Sequence, residues 1–261
     1  MARRHRAPQV LARDGALAVL SDPRRPSGRL LLQDDLEASY VDLADPRHLE
    51  FDYVRRLHDV VVAAGAQEVV HIGGAACVLA RALAAERPSA RQLVVEADPA
   101  VLELARRHLG LRRAPGLRVR VGDGRDVLAG RPDGSADAVV IDAFVGARVP
   151  RHLVTVEALG DVARVLRPAG VVAVNVVDVP PLRDVRAIAA GLRERFAHVA
   201  ALGAGPVVRA RRGGNVVLVA GASPLPLERL RARAAADPEP AAVLDPAATA
   251  ELAGGAAPWR G

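Results

Sequence analysis

Short apolar runs, each ending in a glycine or a carboxylate, dominate the chain between residues 69 and 142. They lie at residues 69–76, 92–99, 119–125 and 137–142. Runs of this length are typical of strands in a parallel sheet that is covered on both faces. Parallel strands bring their carboxyl ends to one edge of the sheet, where ligands bind. The pattern therefore predicts a binding site built from the residues that end these strands.

Predicted helices alternate with these strands. Residues 49–64 have apolar residues at helical spacing, and from Glu68 onward strand and helix patterns alternate five times. Two last strands, at residues 198–202 and 215–220, are separated by a segment too short for a crossover helix, which predicts an antiparallel hairpin at the sheet edge. The fold class predicted is α/β: a Rossmann-like class I methyltransferase fold with a mainly parallel seven-stranded sheet and a C-terminal antiparallel hairpin.

Turn-rich segments divide the chain into four parts. Two short strands at residues 15–21 and 29–33, with a candidate third at 36–43, predict a small N-terminal β unit before the main domain. The last part is rich in alanine and proline, with a predicted helix at residues 225–235 and a peripheral tail at 238–261. The predicted divisions are a flexible basic tail at 1–14, the N-terminal β unit at 15–48, the α/β domain at 49–221 and a C-terminal extension at 222–261.

The amino-acid composition disfavours a membrane protein and a nucleic-acid-binding protein. Of 261 residues, 51% are hydrophobic and only 2% aromatic, so the core must consist of valine, leucine and alanine. No apolar run approaches the roughly 18 residues of a membrane span, and one cysteine favours a reducing cytoplasm. All 36 basic residues are arginine and the net charge is +6. Because the arginines are scattered and few aromatics could stack on bases, we expect no nucleic-acid partner.

The first two strand ends carry a glycine turn and an acid. Gly73 and Gly74 let the backbone turn sharply and let a ligand approach closely. Two glycines alone are also compatible with a plain tight turn. Glu96 ends the next strand roughly 20 residues later, where a carboxylate can accept hydrogen bonds from both ribose hydroxyls. Asp98 and Pro99 follow and predict the N-cap and first position of a helix.

The next two strand ends each add an aspartate. Asp123 could accept a hydrogen bond from an adenine amine, with Gly124 leaving its backbone accessible; the alternative is that Asp123 only caps the short helix that follows. Asp142 points at the same crevice or, alternatively, caps a helix or pairs with Arg148. The loop at residues 143–150 is long enough to form a lid. A glycine followed by these acids favours an adenosine carried on a sulfonium rather than on phosphates.

Other chemistry is disfavoured. The seven histidines do not cluster at metal-ligand spacing and one cysteine cannot build a zinc site, so we expect no metal. His71, within an apolar strand, is expected to be a hydrogen-bonded core histidine. Cys77 has no identifiable base beside it and is expected to be a small buried residue.

The chain resembles the polyamine synthase family, the spermidine synthase-like aminopropyltransferases, from about residue 29 to 220. Residues 51–53 (Phe-Asp-Tyr) are similar to the family's Phe-x-Tyr, residues 95–99 (Val-Glu-Ala-Asp-Pro) to its Val-Glu-Ile-Asp-Pro, and residues 122–124 to its adenine-binding turn. The resemblance implies that Tyr53 contacts the substrate. It also implies a cofactor site at Gly73, Gly74, Ala75, Glu96, Asp123 and Gly124. A homodimer is implied, with the N-terminal β unit as its contact.

Two acids of the family are missing. Where its glycine loop reads Gly-Gly-Gly-Asp-Gly, residues 73–77 read Gly-Gly-Ala-Ala-Cys, so Ala76 replaces the aspartate that grips the aminopropyl ammonium. Val145 replaces the aspartate that deprotonates the attacking amine. The resemblance leaves Asp142 as the catalytic carboxylate that also contacts the substrate amine. Glu157 is a candidate substitute if it faces the crevice.

Three functions remain open from the sequence. The first is aminopropyl transfer from decarboxylated S-adenosylmethionine to a small amine. The second is methyl transfer from S-adenosylmethionine, whose carboxylate no acid at Ala76 would repel. The third is a non-catalytic homologue that binds a nucleoside or a protein partner, because a fold does not fix a function.

Glu96 gives the first testable prediction. Glu96→Gln removes one of two charged acceptors for the ribose hydroxyls and should weaken nucleoside affinity by about tenfold or more, the loss expected for one hydrogen bond to a charged group. Titration calorimetry with methylthioadenosine measures this directly. An unchanged affinity would remove Glu96 from the site.

Overall fold

An antiparallel sheet of four strands precedes the main domain. The structure is a computed structural model that describes residues 7–261. The strands are β1 (Val10–Asp14), β2 (Leu17–Ser21), β3 (Gly28–Gln33) and β4 (Leu36–Asp42), and each pairs with the next in chain order. The fully buried side chains of Val19 and Leu31 face the domain core. The small β unit predicted from the sequence therefore forms. The homodimer predicted through it remains a prediction.

Strand β1 corrects part of the predicted tail. Residues 10–14, expected to be flexible, pair antiparallel with β2 across the Gly15-Ala16 turn. Four of the five residues of β1 are exposed, so the strand buries too little apolar surface to leave an alternating pattern in the sequence. The first six residues of the predicted tail lie outside the described residues.

The strands identified by their apolar runs form an eight-stranded sheet. Its order is β12-β10-β11-β9-β8-β5-β6-β7. The five strands from β9 to β7 are parallel, and β10, β11 and β12 pair antiparallel. In chain order the strands are β5 (Glu68–Gly73), β6 (Arg91–Glu96), β7 (Leu117–Val121), β8 (Ala136–Asp142), β9 (Leu166–Asp178), β10 (His198–Gly203), β11 (Gly214–Gly221) and β12 (Ala242–Leu244).

Helices cover both faces of this sheet, as the continuous apolar strands require. Within residues 7–261, no helix is long and apolar enough to cross a membrane. The helices are α1 (Asp52–Ala63), α2 (Val78–Glu86), α3 (Pro99–His108), α4 (Gly124–Ala129), α5 (Val156–Val165), α6 (Arg183–Arg195), α7 (Gly205–Val208), α8 (Leu227–Ala236) and α9 (Pro246–Ala253).

Alternate side chains of each central strand enter two separate cores. In β8, Val140 packs into the core that contains α1, α2 and α3, whereas Val139 and Ile141 pack into the core that contains α4, α5 and α6. These residues are at most 1% exposed. Burial on both faces explains why the sequence of β8 is a continuous apolar run rather than an alternating one.

The C-terminal extension is part of the domain rather than a peripheral tail. Strand β12 pairs with β10, so β12 forms the sheet edge that the sequence assigned to the β10–β11 hairpin. Helix α9 packs against α6, and α8 packs against α1. Three residues of β12 give no periodicity, which is why the eighth strand was missed.

The loop after β5 has backbone strain. Ala75 has φ +44° and Cys77 has φ +59°, in the left-handed region that favours glycine. Both positions are glycine in the family that the sequence resembles. A non-glycine residue in this region costs roughly 1–2 kcal/mol.

Ala75→Gly should relieve this strain and stabilise the fold by about 1 kcal/mol. The matched control is Ala76→Gly, because Ala76 is fully buried and not among the residues with positive φ. That control should destabilise the fold by about 1 kcal/mol or more. Urea unfolding of the two variants measures the difference; equal losses in both would show that residue 75 is not strained.

Candidate active site

A cavity of about 810 Å³ lies at the carboxyl ends of the central parallel strands. At this point the order of the strands in the sheet reverses, because β6 lies on one side of β5 and β8 lies on the other. Such switch points are where open α/β sheets bind ligands. Each residue predicted to contact cofactor or substrate lines this cavity: Tyr53, Gly73, Gly74, Ala75, Glu96, Asp123, Gly124 and Asp142.

The glycines at this edge permit close packing of backbones. Gly73 pairs in register with Asp142, and a Cβ at Gly73 would collide with the Asp142 carbonyl and with Ala143. A Cβ at Gly124 would collide with the Ile72 side chain. Glycine is therefore needed at both positions so that the turns after β5 and β7 can approach each other around the cavity.

Glu96, at the end of β6, is held by the backbone. The Ala75 amide donates to its Oε2 (3.2 Å) and the Asp98 amide to its Oε1 (3.1 Å). Burial raises the pKa of the Glu96 carboxyl above its ordinary value, against these hydrogen bonds. Each carboxylate oxygen keeps acceptor capacity toward the cavity, which is the geometry needed to hold two adjacent hydroxyl groups. Asp98 caps α3 by accepting from the Ala100 amide (2.8 Å), as predicted.

Asp123 caps α4, one of the two alternatives that the sequence left open, and the contact with an adenine amine remains a prediction. Its Oδ1 caps α4 by accepting from the Arg125 amide (2.7 Å), and its Oδ2 lies 3.0 Å from His152 Nε2 at the cavity wall. His152 belongs to a single 3-10 turn, Arg151–Leu153, that follows the loop after β8. Sequence analysis missed His152 because nothing in its surroundings distinguishes it from a surface histidine.

Asp142 ends β8 in a polar network inside the apolar sheet. The Asn175 side-chain amide donates to its Oδ1 (2.9 Å), and Nδ2 of Asn215 donates to Oδ1 of Asn175 (3.1 Å). Burial, opposed by the Asn175 hydrogen bond and aided by the Glu96 charge, raises the pKa of Asp142 to about 6. Neither the predicted helix cap nor the pairing with Arg148 is found. Asn175, in the run Val-Val-Ala-Val-Asn-Val-Val, was a detectable polar interruption that the sequence analysis overlooked.

Tyr53 lies beside this acid. Burial and the Asp142 charge raise the pKa of Tyr53 well above its ordinary value. Its ring stacks on Phe51, with centroids 5.8 Å apart and planes inclined by 22°. An aromatic wall next to a carboxylate suits an aliphatic cation, whose methylene groups contact the ring while the charge faces the acid.

Nine acidic side chains line the cavity. Four stand at or beside strand ends: Glu96, Asp98, Asp123 and Asp142. Five more come from outside the predicted site, namely Asp34, Glu37, Glu50, Asp52 and Glu239.

Arginines behind the lining pair with two of these nine carboxylates, Asp52 (Arg56, 2.5 Å) and Glu239 (Arg55, 3.3 Å), and do not balance the rest. Among residues 7–261, no arginine lines the cavity, and His152 is its one imidazole. The chain as a whole is nevertheless arginine-rich, with a net charge of +6. The cavity is therefore a negative region in a positive protein and favours cationic ligands.

The two positions at which the family's acids are missing have different environments. Ala76 is fully buried and does not line the cavity, whereas Val145 is 74% exposed in the loop after β8. Val145 and Arg148 exchange backbone hydrogen bonds across the tip of that loop. Glu157 accepts from the Gly261 amide (3.1 Å) away from the cavity, so it is not the substitute considered from the sequence.

His71 and Cys77 are structural residues, as predicted. His71 is buried with its Nε2 3.0 Å from Gln92 Oε1, and burial lowers the pKa of His71 to about 4. Burial raises the pKa of the Cys77 thiol to about 12. Within residues 7–261, no group of three or more histidine, cysteine or acidic side chains is arranged to hold a metal ion.

Residues 70–174 match a methyltransferase domain family. A polyamine aminopropyltransferase from Vibrio vulnificus is 31% identical over 148 residues, which are 56% of this chain and 49% of that protein. The alignment thus spans about half the length of the curated relative.

Solved structures cover more of the chain. A probable spermidine synthase from Corynebacterium glutamicum is 29% identical and superimposes with a TM-score of 0.87, covering 94% of this chain and 92% of the other. A spermidine synthase from Thermotoga maritima, at 19% identity, superimposes with a TM-score of 0.63 over 82% and 71% of the two chains, and shows the shared fold alone.

The methyltransferase domain, the curated relative and the superposition over nearly the whole chain agree with one another and with the site geometry. Together they show that this chain has a spermidine synthase-like class I methyltransferase fold.

Proposed function

We propose that the chain transfers an aminopropyl group from decarboxylated S-adenosylmethionine to a small amine. The observation that carries this proposal is the negative charge of a cavity without arginine among its described lining residues. Both reactants are cationic, and this donor lacks the amino-acid carboxylate of S-adenosylmethionine. A carboxylate in this cavity would lie among acids with no arginine to receive it.

Glu96 and Asp123 would hold the nucleoside. The fixed Glu96 carboxylate accepts from both ribose hydroxyls, and the free acceptor capacity of Asp123 Oδ2 receives the adenine amine. The turn from Gly73 to Ala75 lets the donor approach the backbone closely. These contacts position the sulfonium near Asp142 and Glu96, whose charges stabilise it.

Asp142 would manage the reacting amine. The Asp142 carboxylate first takes a proton from the ammonium group of the acceptor and later passes it to solvent. The nitrogen lone pair that this leaves attacks the methylene carbon next to the sulfonium sulfur. A C–N bond forms, the C–S bond breaks with its electron pair moving to sulfur, and methylthioadenosine leaves. The Asn175 amide keeps one Asp142 oxygen fixed, so the other is free for the amine.

Methyl transfer is the second candidate, favoured by the match to a methyltransferase domain family. It uses the same nucleoside contacts but requires S-adenosylmethionine, whose methionyl carboxylate must find a partner. Titration of the purified protein with S-adenosylmethionine, its decarboxylated form and methylthioadenosine separates the candidates.

Preference for the decarboxylated donor, with turnover of 1,4-diaminobutane, supports aminopropyl transfer. Binding of S-adenosylmethionine in preference to the decarboxylated donor supports methyl transfer. A protein that binds none of the three compounds is a non-catalytic homologue.

The pKa of Asp142 predicts a pH profile. Because the base must be ionised and its pKa is about 6, kcat/KM for the amine should rise with pH through about 6. Asp142→Asn should remove this limb and lower kcat by about 10²–10⁴. Asp126→Asn, an exposed residue of α4 that does not line the cavity, is the control and should retain the limb. If the rise of kcat/KM near pH 6 were unchanged in Asp142→Asn, another group would be the base.

Asp142→Asn should also stabilise the fold at neutral pH. The pKa of Asp142 is higher in the folded chain than in the unfolded one, so ionisation opposes folding. This penalty grows as pH rises from about 4 to about 6 and is complete above it. Thermal unfolding at pH 5 and pH 8 should show the larger gain at pH 8, which a merely disruptive substitution would not give.

A further inference from the structure

We propose that the contact between Arg151 and Trp259 positions His152 against Asp123 and thereby raises the affinity of the cavity for a nucleoside. This inference rests on the proposed nucleoside contact of Asp123, which aminopropyl transfer and methyl transfer both use. His152 and Asp123 line the cavity, whereas Arg151 and Trp259 lie outside its lining. Arg151 and Trp259 are therefore positioning residues that act on the ligand through His152.

The 3-10 turn Arg151–Leu153 joins the loop after β8 to α5. Its inner side is fixed, because Leu153 is 4% exposed and packs into the core that contains α4, α5 and α6. Arg151 and His152 are exposed on its outer side. The core thus holds the backbone at Leu153, and the contacts of the two exposed side chains decide where the His152 imidazole lies.

His152 makes two contacts with the start of α4. Its carbonyl oxygen accepts from Arg125 Nη1 (3.1 Å), and its Nε2 lies 3.0 Å from Asp123 Oδ2. Because an ionised carboxylate only accepts hydrogen bonds, His152 Nε2 is the donor, and Oδ2 keeps capacity for one further donor. The Asp123 side chain is 42% exposed. Without the imidazole, water would compete for Oδ2 and the carboxylate would be free to turn away from a bound nucleobase.

Arg151 holds the turn from its other side. The guanidinium carbon of Arg151 lies 4.7 Å from the centroid of the Trp259 ring, which is within the range of a cation–π contact. Trp259 is half-buried and packs against the core that contains α4, α5 and α6. Since Arg151 and His152 are neighbours in one tight turn, a fixed Arg151 side chain limits the positions that His152 can adopt.

Trp259 is itself fixed by α5. Its carbonyl oxygen accepts from the Val156 amide (2.9 Å), one of the first amides of a helix, which have no partner within the helix. Two residues later, the Gly261 amide donates to Glu157 Oε2 (3.1 Å). The Trp259 ring is therefore a firm support for Arg151 rather than part of a loose segment.

Arg151→Gln tests the contact without removing apolar surface from the core. It should raise the Kd for methylthioadenosine about threefold, the size expected for an exposed cation–π contact, as measured by titration calorimetry. His152→Ala should raise this Kd by about five- to tenfold, because Asp123 loses a donor. In the His152→Ala background, Arg151→Gln should have no further effect, because Arg151 acts through His152. An equal effect in both backgrounds, or none in the wild type, overturns the inference.

Trp259→Leu keeps an apolar side chain and removes the aromatic face. It should raise the Kd about as much as Arg151→Gln, and the double variant should bind no more weakly than either one. Arg260→Gln is the matched control, because Arg260 is the next residue but pairs with Glu194 of α6 (2.7 Å), and its Kd should equal that of the wild type. A loss in Arg260→Gln as large as in Trp259→Leu overturns the inference. If Trp259→Leu does not fold, Arg151→Gln decides.

Binding of methylthioadenosine needs no turnover, which separates this inference from the proposed function. A wild type that binds methylthioadenosine but converts no amine overturns the proposed transfer, and the Kd values still decide the inference. If transfer occurs, Arg151→Gln should raise the KM for the donor about threefold and leave the KM for the amine unchanged. Normal transfer with equal Kd values in all variants overturns the inference alone, and a wild type that does not bind methylthioadenosine overturns it together with the nucleoside site.

Discussion

The pairing of β5 with β8 is the constraint on which the site depends. It places Gly73 directly opposite Asp142 at the point where the sheet reverses its order. With no side chain at Gly73, the two backbones approach closely enough to bring the glycine turn, Glu96 and Asp142 to one cavity. A side chain at that position would collide with the Asp142 carbonyl and push the two strand ends apart.

Two features at this edge of the sheet lower the stability of the folded chain. Asp142 has a raised pKa because burial disfavours its charge, and Glu96 adds to that effect. Ala75 has a left-handed backbone without being glycine. Strain and unfavourable charge are commonly concentrated at functional sites, and the remaining core compensates for them. A cationic ligand would relieve the repulsion between the two acids.

Ala76 and Val145 stand where the family that the sequence resembles has acids, while other segments of the chain supply acids to the cavity. Ala76 is buried and does not line the cavity, whereas Val145 is exposed in the loop after β8. Glu37 of the N-terminal sheet and Glu239 of the extension both line the cavity. The two segments outside the central domain therefore take part in its electrostatics, and the site is larger than the methyltransferase domain that carries its motifs.

The sequence by itself determined the strand ends and the local caps. Apolar runs predicted β5, β6 and β8 with the residues that end them, and Asp98-Pro99 predicted the start of α3, because these features depend on neighbours in the chain. Only the tertiary structure decided the partners: His152 at Asp123, Asn175 at Asp142 and Glu239 at the cavity. These contacts join segments far apart in sequence, and no local periodicity records them. The short strands β1 and β12 were missed for the same reason, since pairing with distant strands, not their own pattern, defines them.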